Sequence, residues 1–111
     1  MKISGDELLG QLREAVGRLA MAAADQLRWL EENHVSPDEL ALELDDAVPG
    51  WFPRLESLGL LSEDAKASLL DLLARLGAIG ADSVAWRREA LETSPDWSDV
   101  RALASVALRK L

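Results

Sequence analysis

The feature that most constrains this chain is a helical repeat running through its first third. Leu9, Leu12, Val16, Leu19, Ala23 and Leu30 recur at alternating steps of three and four. That is the period of one face of an α-helix. Leu8, Ala15, Ala22 and Trp29 form a second row, and Gly10, Gly17 and Ala24 form a third row of small residues. Gln26 interrupts the main row where another apolar residue is due. The pattern predicts a helix over 6–33, about 40 Å long. A domain of this size has a radius of gyration of about 13 Å. Such a helix either breaks, with Gly17 the expected position, or overhangs and meets a second copy of the chain.

No stretch alternates polar and apolar residues as a half-buried strand would, and no Asn-Gly or Asp-Gly pair marks a hairpin. Helix starts, by contrast, are frequent. Ser4-Gly5-Asp6-Glu7 and Ser36-Pro37-Asp38-Glu39 read as capping boxes, and Ser62 and Ser94 stand before acidic first turns. The expected elements are a short helix over 37–47, a brief one from about Pro53 to Leu58, one over 63–78, a short one over 83–92 and a last one over 95–110. The 63–78 segment, with Leu69, Leu70, Leu72, Leu73 and Leu76, is apolar around much of its girth and is expected at the centre. The predicted fold is all-α: a single-domain bundle of five to six helices with a long N-terminal helix, spanning residues 1–111.

Composition narrows the function. The 111 residues are 49% hydrophobic and 29% charged, with no cysteine and a single histidine. This is a globular composition. The opening Met1-Lys2-Ile3-Ser4-Gly5-Asp6-Glu7 has no apolar core, so a secretory signal is not expected. No run approaches the ~20 apolar residues of a membrane span. With no thiols, a cytoplasmic location is expected. Arginine outnumbers lysine nine to three, a bias associated with GC-rich bacterial genomes. The net charge of −8 argues against nucleic acid, which requires clustered Lys and Arg.

The charge is concentrated. From Trp29 to Pro53 stand Glu31, Glu32, Asp38, Glu39, Glu43, Asp45 and Asp46, with no Lys or Arg among them. The other 13 acids face 12 basic residues. A local acidic field of this kind steers a basic partner, although solvated charge runs of the same kind also serve solubility. On the predicted 37–47 helix, Leu40, Leu44, Ala47 and Val48 share one face and the acids the other. Leu42 falls inside the acidic face, an apolar anchor with a charged rim. Past this helix, Pro49 and Pro53 are expected to exclude regular helix. Between them Trp51 and Phe52 are expected to plug the core, or to divide, with one ring buried and one at the surface.

Catalytic constellations are scarce. His34 sits just past a predicted helix end, where it caps carbonyls, and no Gly-x-Ser-x-Gly elbow or phosphate-binding glycine loop is present. Glu31-x-x-His34 is half of a di-iron motif that one histidine cannot complete. Glu43-x-x-Asp46 and Glu89-x-x-Glu92 are similar to the carboxylate pairs with which helical nucleoside-triphosphate pyrophosphohydrolases hold Mg²⁺. Here their order is reversed and basic phosphate contacts are lacking. No catalytic residue, metal ligand or cofactor is therefore expected. The expected function is a non-enzymatic protein-binding module for a basic partner protein. In general character (small, acidic, cysteine-free) it is similar to bacterial immunity proteins. The expected contact residues are Asp38, Glu39, Leu42, Asp45, Asp46 and Trp51. The alternatives are a self-associating scaffold, a homodimer through the first helix, and a carboxylate–Mg²⁺ nucleotide hydrolase.

Overall fold

The computed structural model describes residues 4–111, and of residues 48 and 49 the backbone alone. Residues 1–3, part of the opening Met1–Glu7 stretch in which no secretory signal is expected, and the Val48 side chain, placed above on an apolar face, lie outside the described residues. The described chain is helical throughout, without a strand. Its helices are α1 (Gly5–Ala20), α2 (Ala23–Asn33), α3 (Asp38–Gly50), α4 (Phe52–Ser57), α5 (Glu63–Gly77), α6 (Ala90–Thr93) and α7 (Pro95–Arg109), with a 3₁₀ turn at Val84–Trp86. None is long and apolar enough to cross a membrane.

The N-terminal helical segment is divided. α1 ends at Ala20 and Met21 turns to extended angles, so the break falls four residues beyond Gly17. Gln26 explains why the chain can turn there. It is fully buried, and its Nε2 donates to the carbonyls of Arg18 (2.9 Å) and Leu19 (3.1 Å), two of the acceptors that the end of α1 leaves open. Arg101 of α7 donates to Gln26 Oε1 (3.1 Å) and to the Leu91 carbonyl (2.8 Å). The polar residue that interrupts the apolar row is thus the clasp joining α1, α2 and α7. The division also removes the overhang expected of one continuous helix. Gly10 and Gly17 remain on α1, while Ala24 belongs to α2.

Ser4, Ser62 and Ser94 cap as expected, accepting from the N–H groups of Glu7 (3.1 Å), Ala65 (3.1 Å) and Asp96 (3.2 Å). Ser36 does not. Its hydroxyl donates to the Asp38 carboxylate, while Pro37 already has helical angles. The expected exclusion of helix by Pro49 also fails, because the backbone stays helical to Gly50. A proline removes only its own N–H, and the neighbouring Trp51 N–H still reaches the Ala47 carbonyl at 2.7 Å. Trp51, itself in helical angles, is the joint from which α4 starts. The 83–92 helix is divided into the 3₁₀ turn and α6.

α1 packs along α7 and against α3, and α5 packs along α7. The core gathers Leu12, Val16 and Leu19 with Leu30, Leu40, Leu44, Leu55, Leu69, Leu72, Leu91, Trp97 and Val100, all at or near zero exposure. Trp97 donates its indole N–H to the Ala85 carbonyl (2.6 Å), and Trp86 stacks edge-on against it at 5.8 Å. α5 is less central than expected. Leu69, Leu72 and Leu76 are buried, but Leu70 is 46% exposed and Leu73 only partly covered. The opposite flank of α5 holds α7: Arg75 reaches Asp96 and Asp99, and Lys110 reaches Asp64 and Ser68.

Candidate functional site

The wheel of α3 distributes the six predicted contact residues over three sides. At 100° per residue, Asp38, Leu42 and Asp45 fall together with Ala41. Glu39 and Asp46 lie with Glu43 on the other flank. Trp51 lies on the inner side with Leu40, Leu44 and Ala47, which are fully buried.

The first side opens onto a groove. Ala41, Leu42 and Asp45 of α3 face Leu73, Leu76 and Gly77 of α5 across a cavity of about 180 Å³. Ala41, Leu42 and Gly77 also border a second cavity of about 700 Å³, with Ser36 and Asp38 at its rim. Ile79, Gly80, Ala81 and Trp86 close its far end. The shared residues make the two cavities one groove, with α3 and α5 running antiparallel along it. Leu42, 43% exposed, borders both halves. Its walls carry little side chain at this point: Ala41 on one side, and on the other Gly77, where an added Cβ would project into open space. Its end wall is braced. Trp86 donates its indole N–H to the Gly80 carbonyl (2.9 Å) and rests on buried Trp97.

The second side faces α1 and α2. Arg18 forms an ion pair with Glu43, lies 3.7 Å from Glu14, and sits with its guanidinium 5.1 Å from the centre of the Trp29 ring. Glu43 is held above the ordinary carboxylate range. Burial is the main cause, opposed by Arg18 and reinforced by the neighbouring charges of Glu39 and Glu14. Asp46 is exposed on this flank. Phe52 is buried and Trp51 is partly buried beside it against the core, so neither ring stands free at the surface.

His34 is exposed and terminates α2 in the left-handed conformation (φ 54°). Its N–H donates to the Glu31 carbonyl, and that of Val35 to the Leu30 carbonyl. Glu31 itself pairs with Arg88 at 2.7 Å. Among the described residues, no three His, Cys, Asp or Glu side chains gather as a metal site would require.

Of the six residues expected from the sequence to contact a partner, Asp38, Leu42 and Asp45 border the groove, and none of the expected residues lies on its other wall. Trp86, Leu73, Gly77 and Ile79 belong there. A signal exists for part of it: Leu70, Leu73, Ala74 and Gly77 share one face of α5, leaving an apolar stripe with small residues beside the buried one. Comparison of the chain with protein-family models, with curated proteins and with solved structures finds no match.

Proposed function

We propose that this chain is a protein-binding module whose acidic helix α3 receives a basic partner protein. The observation that carries this reading is the position of Leu42, a half-exposed apolar side chain between two apolar hollows with Asp38 and Asp45 beside it. A charged rim around a desolvated apolar centre is the usual anatomy of a binding patch. The acids supply long-range attraction, which raises the encounter rate, and the apolar centre supplies the slow release. Asp45 and Asp46 are both exposed and take part in no ion pair found among the described residues, so their charge is open to a partner.

The experiment is capture from a lysate of the source cell at low salt, with Asp45→Lys/Asp46→Lys as the control. A basic protein held by the native chain, released by salt, and not held by the control is expected. Retention of the same partner by the control, or no specific partner at all, overturns the reading.

A further inference from the structure

We propose that the α3–α5 groove receives an amphipathic helix carrying two large apolar side chains seven residues apart, a small residue between them, and flanking Lys or Arg. The inference rests on the protein-binding reading above and specifies its partner. The geometry comes from α3 itself. Asp38 marks one hollow and Asp45 the other, seven residues and two turns away, a rise of about 10.5 Å. A helix lying along the groove presents positions i and i+7 at that same spacing. Its position i+3 or i+4 then falls over Leu42, an exposed apolar side chain that borders both hollows, and a small residue there leaves room for both anchors.

The hollows are unequal. The one ending at Trp86, about 700 Å³, accommodates an aromatic ring, and the one at Leu73, about 180 Å³, a Leu or Val. Trp86 is fixed from behind by Trp97 and by its bond to Gly80, so this hollow is largely formed before binding. Charge selects the occupant's sign. Asp38 and Asp45 stand on the rim, inside the 25-residue segment that carries seven acids and no Lys or Arg. An acidic or neutral helix would bring no compensation for them, whereas basic flanks would.

The test is a titration of ¹⁵N-labelled protein with three synthetic 18-residue helical peptides. One carries Trp at i, Ala at i+4, Leu at i+7 and Lys on the flanks. The second moves Leu by one residue, 100° out of phase. The third exchanges the flanking Lys for Glu. The in-phase basic peptide is expected to saturate and to shift the Trp86 indole N–H and the amides of Leu42, Leu73 and Gly77. Its affinity is expected to exceed that of either other peptide at least tenfold. Leu42→Lys, on an exposed position, should lower it at least tenfold with the amide spectrum otherwise retained, and Gly77→Glu from the other wall should do the same. Equal binding of the out-of-phase peptide, shifts confined to Glu39 and Asp46, or no saturation by millimolar peptide overturns the groove proposal. The capture experiment reads whether the acidic helix holds a basic protein at all, and a partner captured there while the peptides fail leaves the broader reading standing without the groove.

Discussion

Replacing Gln26 by leucine tests whether the N-terminal helix is divided for the reason given. Leucine is close in size, and its helix propensity matches that of glutamine. The change therefore isolates the hydrogen bonds. Two carbonyls at the end of α1, of Arg18 and Leu19, lose their donor, and Arg101 loses one of its two acceptors. A buried acceptor left open costs about 1–3 kcal/mol, with the Arg18 carbonyl at the lower end because it is only partly covered. The weakened Arg101 contact adds about 1 kcal/mol. Burying leucine in place of an amide returns about 1–2 kcal/mol. The net loss is about 2 kcal/mol, or a fall of about 8 °C in Tm at roughly 4 °C per kcal/mol for a domain of this size. Urea unfolding read by far-ultraviolet circular dichroism measures it. Gln26→Glu is expected to be worse at neutral pH. A carboxylate retains Arg101 but cannot donate to the carbonyls. A Gln26→Leu protein as stable as the native chain, or more so, would refute the clasp and make the break at Met21 a matter of packing alone.

Other substitutions follow from local geometry. His34→Gly removes a side chain from a left-handed residue and should stabilise by about 1 kcal/mol in the same urea assay. Gly59, at φ 69°, lets the Leu60 N–H reach back to the Leu55 carbonyl at 2.9 Å; Gly59→Ala should destabilise by about 1 kcal/mol or more. Glu43 gives a pH signature of opposite sign to that of a typical ion-paired carboxylate. Its folded-state pKa is raised, so its contribution is fully present below the unfolded value near 4.5 and is lost as pH rises through the folded one. Glu43→Gln lacks this gain. The stability of the native chain relative to the variant should therefore increase as pH falls from 7 toward 4, and an increase in the other direction would contradict the assigned burial.

Much of the fold was legible because it is written in local chemistry. The serine caps at 4, 62 and 94 announce α1, α5 and α7 within a residue, since a cap needs only its own turn. The break at Met21–Ala22 was not, because Met, Ala and Ala are all good helix formers. Only the position of Arg101, some 75 residues later, makes Gln26 a clasp rather than a flaw in an apolar row. Ser36 misled for a related reason. Its hydroxyl had two partners within reach, a backbone N–H and the Asp38 carboxylate, and the pattern S-x-x-E names only the first. At the candidate site, Leu42 among carboxylates was visible on a helical wheel. The groove beside it was not, because its depth depends on how far α3 stands from α5. The groove's far end is closed by Trp86, on a turn far along the chain. Trp51 drew attention as an aromatic beside the acids, yet nine residues from Leu42 is half a turn out of phase, which turns it inward.

The most direct measurement compares two charge reversals on α3 in their association with the captured partner. Asp38→Lys/Asp45→Lys alters the groove side, and Glu39→Lys/Asp46→Lys alters the other flank by the same net charge. Both should slow association at low salt by about tenfold or more, through the shared long-range field. The groove-side pair alone should also speed dissociation, because only those carboxylates border the apolar hollows. Equal dissociation rates for the two variants would contradict the assignment of the groove as the place where the partner sits.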